Sequence, residues 1–461
     1  MRSQIIPQFR RGLGSGWHRP ANTSVRGENI EGPVVYGSPI YVIIIELTNG
    51  AVFEPSERRV VARSARMTSR LMLVAILDVA ALVLVGPGSL RVASADVVES
   101  SAKTFRFSAA GDFGAWSGFA TSLDALNASE SEFALALGDL SYGGNASFPG
   151  ASIEGKWCGK FRSEFPNVAI VAGNHETDLA NAVVSMTNYT RFCPYTLSSP
   201  LSGEYGRQYY FDYPASGPVV RFLLISPDLT FARIDGGERY EYIEGNARYN
   251  WTRDAIDAAR AAGIPWVFVG MHKDCIAAGE HGCEIGKDIM NLLLGRKVDL
   301  ILEAHNHHYE RSKQLAVNSD TCVGIQLHVY NPNCVVNDGS SRKYPGGAGS
   351  VIVTAGTGGR ELVDFNVSDH FAPYIAEWMG ANTLGNGKGI VTFDVSATQI
   401  SMRTHFNGTY SDTFTIAKPV TGSFVRLLVE LGPVLATVPL IGFAALVAWR
   451  GKQARKSFER A

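Results

Sequence analysis

Short, continuously apolar runs recur between residues 104 and 418 and are separated by polar segments. Runs of this kind are typical of strands that are buried on both faces. Longer segments with helical periodicity lie between them, at 117–126, 247–262 and 287–296. This alternation predicts one layered α/β domain. The predicted strands are Thr104–Ala110, Phe133–Leu137, Val168–Val171, Val219–Ile225, Trp266–Gly270, Asp299–Leu302 and Ser350–Thr354, followed by an antiparallel end at 389–395, 400–406 and 413–416.

An apolar stretch before this region indicates a secretory signal. Leu71–Val85 follows a basic start at Met67 and precedes Ala93-Ser94-Ala95, an order typical of a signal peptide cleaved after Ala95. We therefore predict a signal peptide at 67–95 and expect residues 1–66 to be absent from the mature protein. A disordered cytoplasmic tail before an uncleaved anchor is the alternative.

A second apolar stretch lies near the other end of the chain. Leu431–Trp449 contains 19 residues without a charge. At a rise of about 1.5 Å per residue, it is long enough for a hydrocarbon core of about 30 Å. We predict a transmembrane helix at 427–449 and a cytoplasmic tail at 450–461, because five residues of the tail are basic and one is acidic. The main domain, 96–420, would then be extracellular or lumenal.

Cysteines and glycosylation motifs agree with an extracytoplasmic domain. The even number of cysteines predicts disulfides, most simply between neighbours in sequence. They are Cys158, Cys193, Cys275, Cys283, Cys322 and Cys334. Asn-x-Ser/Thr motifs compatible with a glycoprotein occur at Asn127, Asn145, Asn188, Asn250, Asn366 and Asn407. The formal net charge of -1 gives no support for a nucleic-acid partner, which would require a basic surface.

Polar residues with metal-binding chemistry follow five of the predicted strands. Ligands of such sheets bind beyond the carboxyl ends of the strands, so these side chains are expected to meet at one edge. A lone Gly-Asp is usually a turn, and a lone histidine is usually a surface or core residue, but five such clusters together predict a site. The residues are Asp112, Asp139, Tyr142, Asn174, His175, His272, His305 and His307.

The residue types suit two different metal ions. Carboxylate and phenolate oxygens suit a trivalent iron-type ion, whereas imidazole and amide oxygen suit a divalent transition metal. An aspartate that bridges two ions about 3.5–4 Å apart would allow them to clamp the attacking and leaving oxygens of a phosphoryl transfer. Metal binding also lowers the pKa of water, which makes hydroxide available in acid.

The motifs resemble those of the metallophosphoesterase (calcineurin-like) superfamily, and closely those of the purple acid phosphatases. They are Gly138-Asp139-Leu140-Ser141-Tyr142, Gly173-Asn174-His175-Glu176 and His305-Asn306-His307-His308-Tyr309-Glu310-Arg311. The resemblance covers about residues 104–417, and Tyr142 points to the purple subgroup. It implies a four-layer α/β/β/α sandwich, to which the sequence adds the C-terminal transmembrane helix.

The resemblance also implies roles for individual residues. Fe(3+) would be held by Asp112, Asp139, Tyr142 and His307. A second divalent ion, iron, zinc or manganese, would be held by Asp139, Asn174, His272 and His305. His175 would contact the substrate phosphate or protonate the leaving group. His281 follows His272 by nine residues, about where some members of the family place a histidine that contacts substrate. A histidine of a surface loop is the alternative for His281.

The implied activity is that of a membrane-anchored acid phosphatase that hydrolyses phosphate monoesters by attack of a metal-bound hydroxide. A phosphodiesterase or nucleotide pyrophosphatase of the same superfamily is the alternative. A non-catalytic surface receptor on the same fold is a third possibility, although it would be expected to have lost a ligand and all seven candidates are present here.

Overall fold

The computed structural model describes residues 104–115, 117–143, 153–177, 184–233, 236–419 and 449–450. These residues lie within the compact unit Ala95–Ala461. The predicted signal peptide and the segment before it lie outside the described residues, as do the predicted transmembrane helix and tail apart from Trp449 and Arg450. In the part of the chain that is described, no helix is both long and apolar enough to cross a membrane.

Two mixed β-sheets form the centre of the domain. Across the first sheet, the strands are β14 (Lys343–Pro345), β19 (Thr413–Ala417), β18 (Gln399–Phe406), β17 (Gly389–Val395), β1 (Phe105–Ala110), β2 (Phe133–Leu137) and β3 (Val168–Val171). Across the second, they are β16 (Ile375–Met379), β11 (Tyr309–Ser312), β15 (Val351–Ala355), β10 (Leu300–Glu303), β9 (Trp266–Gly270), β6 (Val220–Leu224), β5 (Gln208–Tyr213) and β4 (Leu201–Glu204). Two small ribbons pair β7 (Thr230–Arg233) with β8 (Gly236–Arg239), and β12 (Gln314–Leu315) with β13 (Val335–Asn337).

The strands that carry the candidate residues are parallel within each sheet. In the first sheet β1, β2 and β3 run in one direction, and in the second so do β9 and β10. Each of these strands is fully or almost fully buried, which agrees with their uninterrupted apolar sequences. Strands β17, β18 and β19 are antiparallel, as the sequence predicts.

The two sheets pack face to face through an aromatic core. The ring of Phe107 on β1 lies 5.0 Å from that of Phe222 on β6, centroid to centroid, and the ring of Phe133 on β2 lies 5.9 Å from that of Phe211 on β5. Aromatic contacts of this kind add to the free energy gained by burying the rings. The packing fixes the strand ends of one sheet opposite those of the other.

Helices pack against the outer parts of this sandwich, and the predicted mixed α/β architecture is confirmed. The helices are α1 (Ser117–Ser129), α2 (Ile153–Glu164), α3 (Met186–Phe192), α4 (Ala247–Ala261) and α5 (Lys287–Gly295). In α4, the side chain of Asn246 caps the first turn by accepting the backbone N–H of Tyr249 at 2.9 Å. Thr252, Ile256 and Ala259 are buried on one face of this helix, because they recur at helical spacing.

The cysteines form three disulfides between sequence neighbours, as predicted. They are Cys158–Cys193, Cys275–Cys283 and Cys322–Cys334. The second bridge closes the loop directly after β9, three residues beyond His272. It therefore limits how far this loop can move from the edge of the sheet.

Candidate metal centre

The backbone at the sheet edge adopts an uncommon conformation at four candidate ligands. Asp112, Asp139, Tyr142 and His305 have positive φ angles of 59°, 51°, 53° and 66°. Residues other than glycine seldom adopt this left-handed region, and those that do cluster at functional sites. The turns after β1 and β2 also support one another, because the N–H of Phe113 donates to the carbonyl of Asp139 at 3.1 Å.

Asp112, Tyr142 and His307 form one compact group of ligand atoms. The Tyr142 hydroxyl donates to Asp112 Oδ1 at 2.6 Å and lies 2.9 Å from His307 Nε2. His307 Nε2 is itself 3.4 Å from Asp112 Oδ1. Burial raises the pKa of Tyr142 far above its ordinary value, and the negative charges of Asp112 and Asp139 raise it further. The phenol therefore keeps its proton in the metal-free protein.

A second group contains Asp139, Asn174, His272 and His305. His272 Nε2 lies 3.3 Å from Asp139 Oδ1, 3.0 Å from Asn174 Oδ1 and 3.2 Å from His305 Nδ1. One ligand atom from each of Asp139, His272 and His305 lies within 4.8 Å of the other two, which is close enough for all three to hold one metal ion. The other ring nitrogen of His272, Nδ1, lies 2.8 Å from the carbonyl of Leu137, which orients the ring.

The two groups are adjacent, and their carboxylates and imidazoles shift one another's pKa values. The backbone N–H of His305 donates to Asp112 Oδ2 at 2.9 Å and so joins the second group to the first. Burial raises the pKa of Asp139, but His272 and His175 together bring it below its usual range, so this carboxyl stays ionised. Burial lowers the pKa of His272, whereas Asp139, Asp112 and the hydrogen bond to the Leu137 carbonyl together raise it to about 10.

This donor set fits two metal ions. Two ionised, fully buried carboxylates need nearby positive charge, because isolated buried charges are costly. The first group offers carboxylate and phenol oxygens with one imidazole, and the second offers imidazole, amide and carboxylate atoms. The structure thus brings all seven predicted ligands together, and their binding of metal stays a prediction.

Glu176 supports the turns that carry the ligands. The sequence predicts no role for this residue. Its carboxylate accepts the backbone N–H groups of Asp139, Leu140 and Gly173, each at 2.9 Å. Gly173 is required here because a Cβ atom would lie 2.1 Å from Asp139 Oδ1. Burial, and then the charge of Asp139, raise the pKa of Glu176 to about 8.

The two histidines predicted to contact substrate each lie beside a candidate ligand. The backbone N–H of His175 donates to Asp139 Oδ1 at 3.1 Å, and its ring lies 4.3 Å from that of Tyr142. The His281 ring stacks on His305 at a centroid distance of 3.8 Å. Both side chains are partly exposed, so a substrate can reach them.

Two charged residues at the site were not foreseen. The Arg360 guanidinium lies 4.5 Å from the centroid of the Tyr142 ring, and the Glu284 carboxylate contacts both His281 and His305. Neither residue belongs to the motifs quoted above. Each reaches the site through a loop whose path depends on the tertiary fold.

Comparison with known proteins identifies the domain. Residues 105–309 match the family model of the calcineurin-like phosphoesterases. The recognition of this superfamily from the motifs is confirmed. This match agrees with the predicted enzyme class, a hydrolase that acts on phosphoric ester bonds.

The chain is also similar to individual proteins. Protein Rv2577 of Mycobacterium tuberculosis, described as uncharacterized, is 28% identical over 291 residues, which cover 54% of this chain and 53% of that protein. Purple acid phosphatase 23 of Arabidopsis thaliana is 23% identical over 238 residues, covering 46% of this chain and 48% of that protein. The structure of purple acid phosphatase PPD1 from yellow lupin is 15% identical, with a TM-score of 0.49, and the match covers 69% of this chain and 54% of that one. The chain spans about half the length of the curated relatives it matches.

Proposed function

We propose that the protein is a membrane-anchored, extracytoplasmic acid phosphatase that hydrolyses phosphate monoesters at a centre containing Fe(3+) and a divalent iron, zinc or manganese ion. The observation that carries the proposal is the position of Tyr142. Its hydroxyl lies within 3 Å of both Asp112 Oδ1 and His307 Nε2, as expected for three ligands of one ion. A phenolate ligand favours ferric iron over a divalent ion.

Each ligand has a defined place in this proposal. Asp112, Tyr142 and His307 would hold the ferric ion. Asn174, His272 and His305 would hold the divalent ion, with Asp139 shared between the two. When bound, the ions would supply Lewis-acid activation of water and phosphate.

The protein's own groups would bind and orient the substrate. His175 lies beside Tyr142 and His281 beside His305, and both are partly exposed, so they can donate protons to phosphate oxygens or to the leaving group. The Arg360 side chain, placed over the Tyr142 ring, adds positive charge at the same edge. A dianionic phosphate monoester suits this concentration of donors and cations.

The membrane anchor and the extracytoplasmic location rest on the sequence. The support is the uncharged stretch Leu431–Trp449 with its basic flank, together with the three disulfides, which persist in oxidising compartments. The Asn-x-Ser/Thr motifs are accessible at Asn127, Asn188, Asn366 and Asn407. A protease-accessibility assay on intact cells tests this arrangement: the catalytic domain should be cleaved from outside, and a C-terminal tag should be protected. A tag cleaved from outside would contradict the proposed topology.

The metal centre is tested by spectroscopy on the purified, detergent-solubilised chain. Loading with iron should give a visible absorption band, and Tyr142→Phe should abolish that band while leaving the far-UV circular dichroism unchanged. The loaded wild type should hydrolyse p-nitrophenyl phosphate faster than bis(p-nitrophenyl) phosphate. A colourless iron-loaded wild type would overturn the ferric site, and a preference for the diester would favour the phosphodiesterase alternative.

A further inference from the structure

Glu284 joins three basic side chains at the border of the metal centre. Its Oε1 atom lies 3.2 Å from His281 Nδ1 and 3.4 Å from His305 Nε2. Its other oxygen, Oε2, lies 2.6 Å from the Lys273 ammonium group. The carboxylate thus contacts a proposed metal ligand and a proposed substrate-binding residue with a single oxygen atom.

The two nitrogens of His305 face in different directions. Nδ1 lies 3.2 Å from His272 Nε2 and is therefore the atom available to the divalent ion. Nε2 faces Glu284, and the His305 ring is only 5% exposed. An imidazole that binds metal through one nitrogen carries its proton on the other, and that proton is commonly donated to a carboxylate, which fixes the tautomer and the ring orientation.

The separation between His305 Nε2 and Glu284 Oε1 is longer than an ordinary hydrogen bond. Charge attraction nevertheless acts across it, because His305 is buried and Glu284 is only partly exposed. A metal ion on Nδ1 would make the Nε2–H a stronger donor and strengthen this contact.

Glu284 is held in place by its loop and by a lysine. It follows Cys283, whose disulfide to Cys275 closes the loop, and its backbone N–H donates to the carbonyl of Asp274 at 3.2 Å. Lys273, which binds Oε2, also lies 2.8 Å from Asp228 Oδ2. The carboxylate is therefore presented to the histidines by a fixed loop.

We propose that Glu284 is a positioning residue that orients the His305 ring for the divalent ion and seats His281 against it. The inference rests on the proposed metal centre and extends it by one residue and one loop. A rival interpretation is that His281, Glu284 and His305 hold a further cation, since their ligand atoms lie within 4.8 Å of one another. The Lys273 ammonium group, 2.6 Å from the same carboxylate, opposes a second cation there.

Zinc binding to the metal-free, solubilised chain tests the proposal. Zinc affinity and stoichiometry would be measured by competition with a chromophoric chelator for the wild type, Glu284→Ala and Glu284→Gln. Loss of a carboxylate behind a metal-bound histidine typically weakens binding about 10–100-fold, so we expect that loss at one site of Glu284→Ala. Glu284→Gln should lose less, because its amide oxygen can still accept the Nε2 proton. The exposed Glu280, in the same loop, provides the control, and Glu280→Ala should bind zinc like the wild type.

The outcomes separate the possible failures. Unchanged zinc affinity in Glu284→Ala, with two zinc ions bound by the wild type, would overturn the positioning role alone. Three zinc ions in the wild type and two in Glu284→Ala would overturn it in favour of a cation site. A wild type that binds no zinc, iron or manganese would overturn the proposed centre itself, and this inference with it.

Discussion

Replacing Glu176 should destabilise the fold, because one buried carboxylate satisfies three backbone donors. Its Oε2 atom accepts the N–H groups of Asp139 and Gly173, and its Oε1 atom accepts that of Leu140. The Glu176 side chain is fully buried. Two of these donors are the backbone N–H groups of Asp139 and of the next residue, Leu140. Because Asp139 has a positive φ, the carboxylate holds the turn that carries this ligand in an uncommon conformation.

The size of the effect follows from the number of donors left unpaired. Each buried N–H group without an acceptor costs about 1–3 kcal/mol of folding free energy. A water molecule that enters the space left by the side chain recovers part of this loss. Glu176→Ala should therefore lower the free energy of unfolding by roughly 3–5 kcal/mol. In Glu176→Gln, the amide oxygen can replace Oε2 and keep two of the bonds, but the NH2 group then faces the N–H of Leu140. We expect a loss of about 1–3 kcal/mol for this variant.

Urea unfolding of the metal-free protein at about pH 9, above the pKa of about 8 of Glu176 so that its carboxylate is ionised, measures both losses with the disulfides intact. The order of stability should be wild type, then Glu176→Gln, then Glu176→Ala. Glu280→Ala serves as the control because Glu280 is exposed, and it should unfold at the wild-type midpoint. If the free energy of unfolding of Glu176→Ala were within about 1 kcal/mol of that of the wild type, the reasoning would be refuted. The three backbone N–H groups would then not depend on Glu176 for an acceptor.

Two further predictions concern protons at the site. Metal loading at pH 7 should release at least one proton per chain, because the pKa of His272 is about 10 in the metal-free protein and a histidine must be neutral to bind metal. Calorimetry in buffers of different ionisation enthalpy measures this release. An identical heat of binding in all buffers would contradict it. His281→Ala should lower the hydrolysis rate, because it removes an imidazole that can donate to phosphate, and should leave the bound metal unchanged. A wild-type rate for this variant at every pH would exclude the substrate contact.

The sequence was most informative where local pattern and tertiary environment agree. The bounds of β2, β3 and β9 were predicted without error, because a strand buried on both faces is an uninterrupted apolar run. Helix α2 was missed because Gly155 and Gly159 lower its helix propensity. Strand β5 was missed because polar and aromatic residues are mixed along it and it is only partly buried.

The candidate ligands could be proposed because each lies within five residues of the end of a strand. The end of a strand can be predicted from the local sequence, and ligands of parallel sheets bind beyond the carboxyl ends of the strands. Glu284 could not be found in this way, because it is separated from His305 by 20 residues in the chain and reaches it only through the loop closed by Cys275 and Cys283. Residues that support ligands across the fold leave little local signal, even when they are in contact with them.

The charges of the site explain why metal and protons should compete for it. In the metal-free protein, Glu176 and His272 both hold protons more tightly than in the unfolded chain, with pKa values raised to about 8 and about 10. A raised folded-state pKa gives stability that is lost as pH rises, here from about 4.5 to about 8 for Glu176 and from about 6.5 to about 10 for His272. Both protons offset the negative charge concentrated around Asp112 and Asp139. Metal ions would supply the same compensation without depending on a proton, so their binding should stabilise the fold most at the alkaline end of this range, where the protons are lost.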